Sequence, residues 1–269
     1  MKKIKINLKT SLAMLIIIAI FTISVITTNQ NTSILANVEA TEKTIGWGIK
    51  RAQSHEQPDV GESNKKTLEE NNGICLGKEN EKTIYLTFDA GYEAGYMDKI
   101  LDTLKENNVT ATFFITAHYL NSASDKVQRM IEEKHIIGNH TCQHPSLPSI
   151  SDEKIEDEIM KLHHSVYEKF GYEMKYFRPP KGEFNQRTLK KTSSLGYKTV
   201  MWSFAYCDWD EKKQPTNEEA IKTITNNFHP GEIMLLHSNS KTNADVLDTI
   251  IKEAKNQGYE FKSLDEFVK

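Results

Sequence analysis

The 269-residue sequence has few cysteines, no excess of positive charge and no short repeat or low-complexity tract. Its three cysteines (Cys75, Cys142 and Cys207) are too few, and odd in number, for a disulfide framework. A formal net charge of −3 gives no electrostatic attraction for nucleic acid or for an anionic membrane surface. These absences argue against a disulfide-rich miniprotein, a nucleic-acid-binding protein and a repeat array.

What remains is an ordinary globular composition, with 38% hydrophobic and 26% charged residues. A chain of this length buries one sizeable core, or one domain with additional segments. The N-terminus differs from the rest, because a lysine-rich start precedes an apolar run at residues 12–26. With a small-x-small site at residues 38–40 and Ala36 as a second candidate, this pattern predicts a signal peptide over residues 1–40. The alternative is a retained membrane anchor through residues 12–26; the apolar run is short for a full span.

Two further regions follow the N-terminal segment. Residues 41–80 are polar and charge-mixed, and we expect an extension that lies across a domain without forming one itself. From residue 81 to 269, apolar strand patterns alternate with helical periodicity, which predicts a parallel α/β fold, open or barrel-like. The predicted strands are residues 83–89, 110–116, 136–139, 176–178, 198–202 and 232–236. The predicted helices are residues 96–107, 124–134, 151–171, 185–195, 217–227 and 243–257.

Side chains suited to catalysis follow the predicted strands. Because the carboxyl ends of parallel strands meet at one edge of a sheet, we expect these side chains to share one site. They are Asp89, His140, Arg178, Trp202, Ser203 and His237.

His140 and His144 are four residues apart in the stretch GNHTCQHPSL. On a helix this spacing would place both imidazoles on one face, but Pro145 disfavours the α conformation at His144. A strand-end His140 and a loop His144 still form a good site for a borderline-soft cation. The alternative is a pair of surface or capping histidines.

The remaining stretches each allow a functional and a structural interpretation. Arg178 in YFRPPKGEF pairs with a carboxylate such as Asp89, or forms an ordinary surface ion pair. Asp208 lies among aromatic residues that suit either sugar faces or the core. His237, after an apolar strand, is placed for general acid catalysis or is a structural histidine.

Between residues 82 and 266 the chain resembles the polysaccharide deacetylase family, whose catalytic unit is the NodB-homology domain. The resemblance rests on five motifs in the family's order: TFDAG, HTCQH, RPPKG, Asp208-Trp209 and LLHS. The resemblance implies a distorted (β/α) barrel and metal-dependent removal of an N-acetyl, sometimes O-acetyl, group from a glycan. It implies a divalent metal on His140 and His144; imidazole ligands favour zinc, with manganese or cobalt as alternatives.

The resemblance also implies catalytic roles: a general base (Asp89), the arginine that steadies it (Arg178), the catalytic histidine (His237) and the acid that orients that histidine (Asp208). We expect the substrate to contact Tyr92, Pro180, Trp202, Tyr206, Trp209 and Leu236.

Ala90 departs from the family pattern, in which an aspartate at this position is the third metal ligand. The muramic δ-lactam deacetylases of spore-forming bacteria also lack that aspartate, and TFDAGYEAGY, WSFAYCDW and the segment at residues 46–61 resemble that branch. The branch implies an exported enzyme of the cell wall or spore cortex. Its substrate is N-acetylmuramic acid in peptidoglycan strands whose peptide an amidase has removed, and its product leads to muramic δ-lactam.

Three other functions compete with this one. A generic N-acetylglucosamine deacetylase would share all the catalytic residues. A glycosidase with Asp89 and Asp208 as its carboxylate pair needs no metal, and HTCQH argues against it. A degenerate glycan-binding module would explain Ala90 as decay, but the base, the histidines and the arginine are all retained. We expect Cys142 and Cys207 to be small packed side chains; the alternative for Cys142 is a metal-binding thiolate.

Overall fold

The computed structural model describes residues 43–267. The predicted signal segment, with its apolar run at residues 12–26, lies outside this range. Within residues 43–267, no helix combines the length and the apolar character that a membrane span requires.

Ten strands and eight helices are present in the described part of the chain. The strands are β1 Ile45–Gly46, β2 Gly73–Ile74, β3 Thr83–Ala90, β4 Thr112–Ile115, β5 Ile136–Asn139, β6 Tyr176–Phe177, β7 Glu183–Phe184, β8 Lys198–Val200, β9 Glu232–His237 and β10 Glu260–Phe261. The helices are α1 Glu62–Glu70, α2 Met97–Glu106, α3 Ala117–Ser122, α4 Ser124–Glu132, α5 Asp152–Phe170, α6 Gln186–Ser194, α7 Asn217–Thr225 and α8 Lys241–Asn256. Short 3₁₀ turns occur at Leu147–Ser149, Pro180–Gly182, Glu211–Lys213 and Leu264–Glu266.

The main sheet is parallel and curls into a distorted barrel. Its strand order is β10-β3-β4-β5-β6-β8-β2, and β9 also pairs with β3. The segment after β8 lies next to β9, where Phe204 forms a parallel bridge with Met234. The predicted distorted (β/α) barrel is confirmed.

Alternation along the strands separates two apolar layers. In β3, Leu86 and Phe88 pack in the outer core layer, the large apolar cluster formed by the barrel strands and the helices around them. Tyr85 packs in a second cluster with inward-facing residues of the other strands. Asp89 has the same parity as Tyr85, so the strand pattern directs its carboxylate to the inner face. β3 thus contributes side chains to the core on one face and a candidate catalytic group on the other.

Helix α5 shows how local sequence fixes an element. The Ser151 hydroxyl accepts a hydrogen bond from the Lys154 amide at the start, and Gly171 ends the helix with a left-handed φ of 65°. These bounds agree with the predicted helix at residues 151–171. The predicted strands at 176–178 and 198–202 are shorter than expected and end at Phe177 and Val200.

The segment before the barrel contains structure that the polar sequence did not predict. Strand β1 pairs antiparallel with β7, and α1 buries Leu68. Trp47 donates its backbone N–H to the Gly182 carbonyl (2.8 Å) and its indole N–H to the Trp202 carbonyl (2.8 Å). Arg51 donates to the Ala205 carbonyl at 2.9 Å. This N-terminal segment, residues 43–60, therefore contacts the loops that follow β6 and β8.

Candidate active site

A cavity of about 640 Å³ opens at the carboxyl ends of the barrel strands. Four of the predicted catalytic or metal-binding residues line it, namely Asp89, His140, His144 and His237. Predicted sugar-binding aromatic residues line it as well, namely Tyr92, Trp202, Tyr206 and Trp209. The expected convergence is thus present for Asp89, His140, Trp202 and His237. Ser203 is instead buried away from the cavity, where its hydroxyl bonds to His229 Nε2 and accepts from the Ile233 amide.

Arg178 is fully buried beneath this cavity and holds Asp89 in place. Its Nη1 donates to Asp89 Oδ1 at 2.8 Å, and its Nη2 donates to the Thr87 hydroxyl at 2.9 Å. Its Nε donates to the Val200 carbonyl at 3.1 Å, and the guanidinium lies 4.2 Å from the centre of the Phe114 ring. The expected Arg178–Asp89 ion pair is present, and it is buried rather than superficial.

The environment of Asp89 favours a carboxylate. Burial alone would raise its pKa, but the charge and hydrogen bond of Arg178, with a further contribution from the imidazolium of His237, lower the pKa of Asp89 below its usual value. The carboxyl is therefore ionised at neutral pH and available as a proton acceptor.

His140 is a neutral imidazole of defined tautomer. Its Nδ1 lies 2.8 Å from the Arg178 carbonyl oxygen, which only accepts hydrogen bonds, so Nδ1 carries the proton. The lone pair is then on Nε2, which lies 3.5 Å from Asp89 Oδ2. Burial lowers the pKa of His140 and keeps the ring unprotonated.

His144 lies in a loop rather than on a helix, as Pro145 predicts. Its backbone is left-handed (φ 57°), and its N–H donates to the Thr141 hydroxyl at 2.9 Å. The loop places the rings of His144 and His140 with centroids 4.8 Å apart. Burial, followed by the nearby His140, lowers the pKa of His144 to about 4, so this ring is also neutral at physiological pH.

These two imidazoles fit a divalent cation by the chemistry of their donors. Neutral histidine nitrogens are preferred ligands of zinc, and the hydrogen bond from His140 to a carbonyl is the usual means of orienting such a ligand. Within residues 43–267, however, no group of three or more His, Cys, Asp or Glu side chains is arranged around a metal position. Ala90 is fully buried in the outer core layer and supplies no donor. A divalent cation held by these two rings would complete its coordination shell with water or substrate.

Asp208 anchors His237 through two hydrogen bonds and is itself held by Asn243. Its Oδ1 accepts from His237 Nδ1 at 2.7 Å, and its Oδ2 accepts from the His237 backbone N–H at 2.8 Å. The same Oδ2 accepts from Asn243 Nδ2 at 2.6 Å, and Asn243 Oδ1 accepts from the Tyr206 hydroxyl. With Nδ1 committed to the fully buried Asp208, Nε2 is the nitrogen of His237 available to a substrate in the cavity.

The carboxylate of Asp208 also sets the charge of His237. Burial disfavours the imidazolium, but the charge and hydrogen bond of Asp208 outweigh it, so the pKa of His237 is raised above its usual value. The raised pKa keeps His237 protonated to higher pH, as a proton donor requires.

The structure corrects two of the predicted substrate contacts. Leu236 is fully buried in the outer core layer, because alternation along β9 directs it away from the face that carries His237. Leu235, two residues before His237, lines the cavity instead. Pro180 is buried and does not line the cavity, whereas the next two residues, Lys181 and Gly182, do.

Thr87 and Asn243 support the site and were not predicted. Strand parity could have found Thr87, since it lies two residues before Asp89 on the same face. Asn243 lies in the first turn of α8 directly after β9, a position where a polar residue is easily taken for a helix cap.

None of the cysteines lines the cavity. Cys142 is half-buried against the outer core layer, Cys75 is buried in a smaller cluster, and Cys207 is exposed. The expectation of a packed side chain is therefore wrong for Cys207.

Comparison with known proteins shows the family. The profile described as "Polysaccharide deacetylase" matches residues 76–200. Over 225 residues the chain is 44% identical to the peptidoglycan-N-acetylmuramic acid deacetylase PdaA of Bacillus subtilis, covering 83% of this chain and 85% of the relative. The chain belongs to the polysaccharide deacetylase family. The predicted resemblance and the predicted enzyme class are confirmed.

Further relatives agree with this assignment. The solved structure of Bacillus subtilis PdaA, described as a family 4 carbohydrate esterase, superimposes with a TM-score of 0.81 at 43% identity, covering 84% of this chain and 97% of that one. A peptidoglycan-N-acetylglucosamine deacetylase of Bacillus cereus is 33% identical over 192 residues, covering 70% of this chain and 69% of the relative. Deacetylases of this family depend on a metal ion.

Proposed function

We propose that this polysaccharide deacetylase removes the N-acetyl group from N-acetylmuramic acid in peptide-free peptidoglycan strands, as the step that leads to muramic δ-lactam in the spore cortex. The observation that carries the proposal is a single cavity with an ionised Asp89, two neutral imidazoles and an Asp208-anchored His237 in its wall. The similarity to an N-acetylmuramic acid deacetylase supports the choice of sugar.

Substrate binding uses the apolar part of the cavity wall. The aromatic rings of Trp202, Tyr206 and Trp209 suit the faces of sugar rings, and Trp209 is 57% exposed at the rim. Leu235 offers an apolar surface for the acetyl methyl group next to the two catalytic strand ends. In this proposal the acetamide binds between Asp89 and His237.

His140 and His144 are the residues that would hold the divalent metal, with zinc as the first choice and manganese or cobalt as alternatives. When bound, the ion supplies Lewis-acid polarisation of the acetyl carbonyl and of the attacking water. Both rings must be neutral to bind it, and their lowered pKa values meet that requirement at physiological pH.

Asp89 acts as the general base. Its carboxylate accepts a proton from the water whose oxygen bonds to the acetyl carbon. The hydrogen bond and charge of Arg178 keep that carboxylate ionised and fixed in orientation. Arg178 is itself held by Thr87 and by the Val200 carbonyl, so the base cannot move without disturbing the barrel.

His237 acts as the general acid. Its imidazolium donates the Nε2 proton to the sugar nitrogen as the carbon–nitrogen bond breaks, so that acetate and a free amine leave. Asp208 stabilises the imidazolium and fixes its orientation. In muramic acid the new amine lies within reach of the lactyl carboxyl of the same sugar, which makes closure to the δ-lactam sterically natural.

We place this activity outside the cytoplasmic membrane, in the cell wall or spore cortex space. The basic and apolar N-terminus supports export, with cleavage or a tether through residues 12–26 as the two outcomes. An amidase that removes the stem peptide acts first.

The test follows acetyl loss on both sugars of the glycan strand. Purified protein, supplied with zinc, is incubated with peptide-free strands, and digested products are analysed by mass spectrometry, with Asp89→Asn as the inactive control. Acetyl loss at muramic acid is expected. Acetyl loss at glucosamine alone would mean that the substrate is N-acetylglucosamine, the sugar named for the Bacillus cereus relative, and not N-acetylmuramic acid. No loss at either sugar would favour a glycan-binding module.

A further inference from the structure

Lys181 lies in the wall of the cavity and has no assigned role in the steps above. It belongs to the turn Pro180–Gly182, directly after the strand end that carries Arg178. Its side chain is exposed, and within residues 43–267 its ammonium forms no hydrogen bond or ion pair. The charge is therefore available to a ligand.

The backbone at this position is unusual for lysine. Lys181 has a left-handed φ of 60°, and Gly182 follows with a φ of 64°. Glycine or asparagine would occupy such a position with less strain than lysine does. Strained backbone of this kind is concentrated at functional sites, where a side chain must point in one direction.

The turn is fixed on both sides of Lys181. A Cβ at Gly182 would lie 2.6 Å from Trp202 Cη2, so the backbone there packs closely against the indole ring. The carbonyl of Gly182 accepts the Trp47 N–H, and Pro180 is buried. The base of the lysine side chain thus has a fixed position in the cavity wall.

The other positive groups of the cavity are committed to the deacetylation step, since His237 faces the amide nitrogen and the two neutral imidazoles would hold the metal. Among the described residues that line it, Lys181 is the sole lysine or arginine, while Asp89 contributes a negative charge. Arg178 is buried and bonded to Asp89, Thr87 and Val200. An anionic substrate group bound beside Asp89 would be repelled unless a cation faced it, and Lys181 is the cation of the described cavity wall that no catalytic step uses.

We propose that Lys181 binds the free lactyl carboxylate of the substrate sugar and thereby selects peptide-free N-acetylmuramic acid. The inference rests on the proposed function and deepens it. The lactyl ether and the acetamide are on neighbouring ring carbons, so an acetamide held between Asp89 and His237 brings the lactyl group into the same cavity.

The charge of the lactyl group distinguishes the three relevant sugars. Once the peptide is removed, the lactyl carboxyl is ionised at neutral pH and accepts a charge-assisted hydrogen bond from an ammonium. With the peptide attached, the same carbon is part of a neutral, bulkier amide. N-acetylglucosamine carries only a hydroxyl at this position. Lys181 therefore favours binding of the peptide-free sugar that the amidase produces over both the peptide-bearing sugar and N-acetylglucosamine.

The test compares two strands that differ in this one group: peptide-free strands with the lactyl carboxylate free, and the same strands with it converted to a methylamide. Acetate release gives kcat/KM on each for the full chain, for Lys181→Met, for Lys181→Arg, and for Lys213→Met as a control. Lys213 is an exposed lysine on the turn Glu211–Lys213 and does not line the cavity.

The expected result is that Lys181→Met lowers the carboxylate-to-amide ratio of kcat/KM about tenfold, a typical effect of one charge-assisted hydrogen bond. Lys181→Arg should recover much of the ratio, and Lys213→Met should leave it unchanged. Added salt should reduce the ratio of the unaltered protein more than that of Lys181→Met.

The outcomes separate this inference from the proposed function. If the unaltered protein deacetylates muramic acid but Lys181→Met keeps the same ratio, the role of Lys181 is overturned and the proposed function stands. If the unaltered protein releases acetate only from N-acetylglucosamine, the proposed function fails and this inference fails with it.

Discussion

Replacing Asp208 by asparagine should disable His237 as an acid while leaving the fold in place. Three N–H groups converge on the two oxygens of Asp208: His237 Nδ1 at 2.7 Å, the His237 backbone N–H at 2.8 Å and Asn243 Nδ2 at 2.6 Å. An asparagine amide has one oxygen and one NH₂ group, so it cannot accept from both sides.

These contacts favour one orientation of the introduced amide over the other. If the amide oxygen keeps the two donors on the Oδ2 side, the NH₂ group faces His237 Nδ1, which must then accept and cannot carry a proton. The imidazolium loses a charged hydrogen bond of about 1.5–3 kcal/mol. At about 1.4 kcal/mol per tenfold change, kcat/KM at neutral pH should fall roughly 10- to 100-fold.

The pH dependence gives a more specific readout than the rate. In the unaltered protein the pKa of His237 is raised, so the protonated acid persists to higher pH and activity falls as pH rises through that pKa. In Asp208→Asn the pKa of His237 falls, so the alkaline limb of kcat/KM should move to lower pH. The acid limb, which reports ionisation of Asp89, should move little.

Acetate release between pH 5 and pH 10 measures both limbs, with urea unfolding as a check on folding. Asp157→Asn, which alters an exposed acid on α5, is the matched control and should change neither limb. An alkaline limb at the same pH in Asp208→Asn and in the unaltered protein would refute the assignment of His237 as the acid held by Asp208.

Three other substitutions test separate parts of the site. Arg178→Met leaves Asp89 buried without its counter-charge, so urea unfolding should show a loss of about 3–5 kcal/mol; the pKa of Asp89 rises, and an acid limb that failed to move to higher pH would contradict the pairing. Leu236→Ala should cost about 2–5 kcal/mol of stability, whereas Leu235→Ala should mainly raise KM; the reverse pattern would reject the assigned faces of β9. His144→Gln should lower the metal content measured by elemental analysis after dialysis, and full retention of metal would exclude this ligand.

Strand periodicity predicted much of the site because the barrel joins its strand ends at one edge. Asp89, His140, Arg178 and His237 each follow an apolar run, and such runs of buried strand are the strongest pattern in the sequence. Asp208 has no such position, since it lies in the loop after β8. Its role was indicated by resemblance to the family rather than by periodicity.

The errors have identifiable physical causes. The predicted strand at residues 232–236 stopped one residue before His237, whereas β9 includes it. With His237 in the strand, alternation assigns Leu235 to the cavity and Leu236 to the core. Similarly, the helix predicted from residue 243 begins at Lys241, which moves Asn243 from the helix terminus to a buried position in its first turn.

The N-terminal segment was hidden from periodicity for a different reason. Besides the short β1–β7 pairing and the burial of Trp47, its contacts include isolated hydrogen bonds from Trp47 and Arg51 to distant carbonyls, and a polar sequence carries no periodic signal for such contacts. The apolar pattern that predicts strands and helices depends on repeated burial of one face.

Those hydrogen bonds from the N-terminal segment have an evolutionary consequence. Trp47 and Arg51 donate hydrogen bonds to the backbone carbonyls of Gly182, Trp202 and Ala205, three residues that line the cavity. These bonds do not use the side chains at the three positions. The position of the cavity wall is thus fixed through its backbone, whereas its side chains contact the substrate. Gly182 and Trp202 are exceptions, because they pack against Trp47 and against each other. At the other sugar-facing positions, substitutions leave these backbone bonds in place, so a lineage can change which glycan it accepts while the machinery that cleaves the acetyl group stays the same.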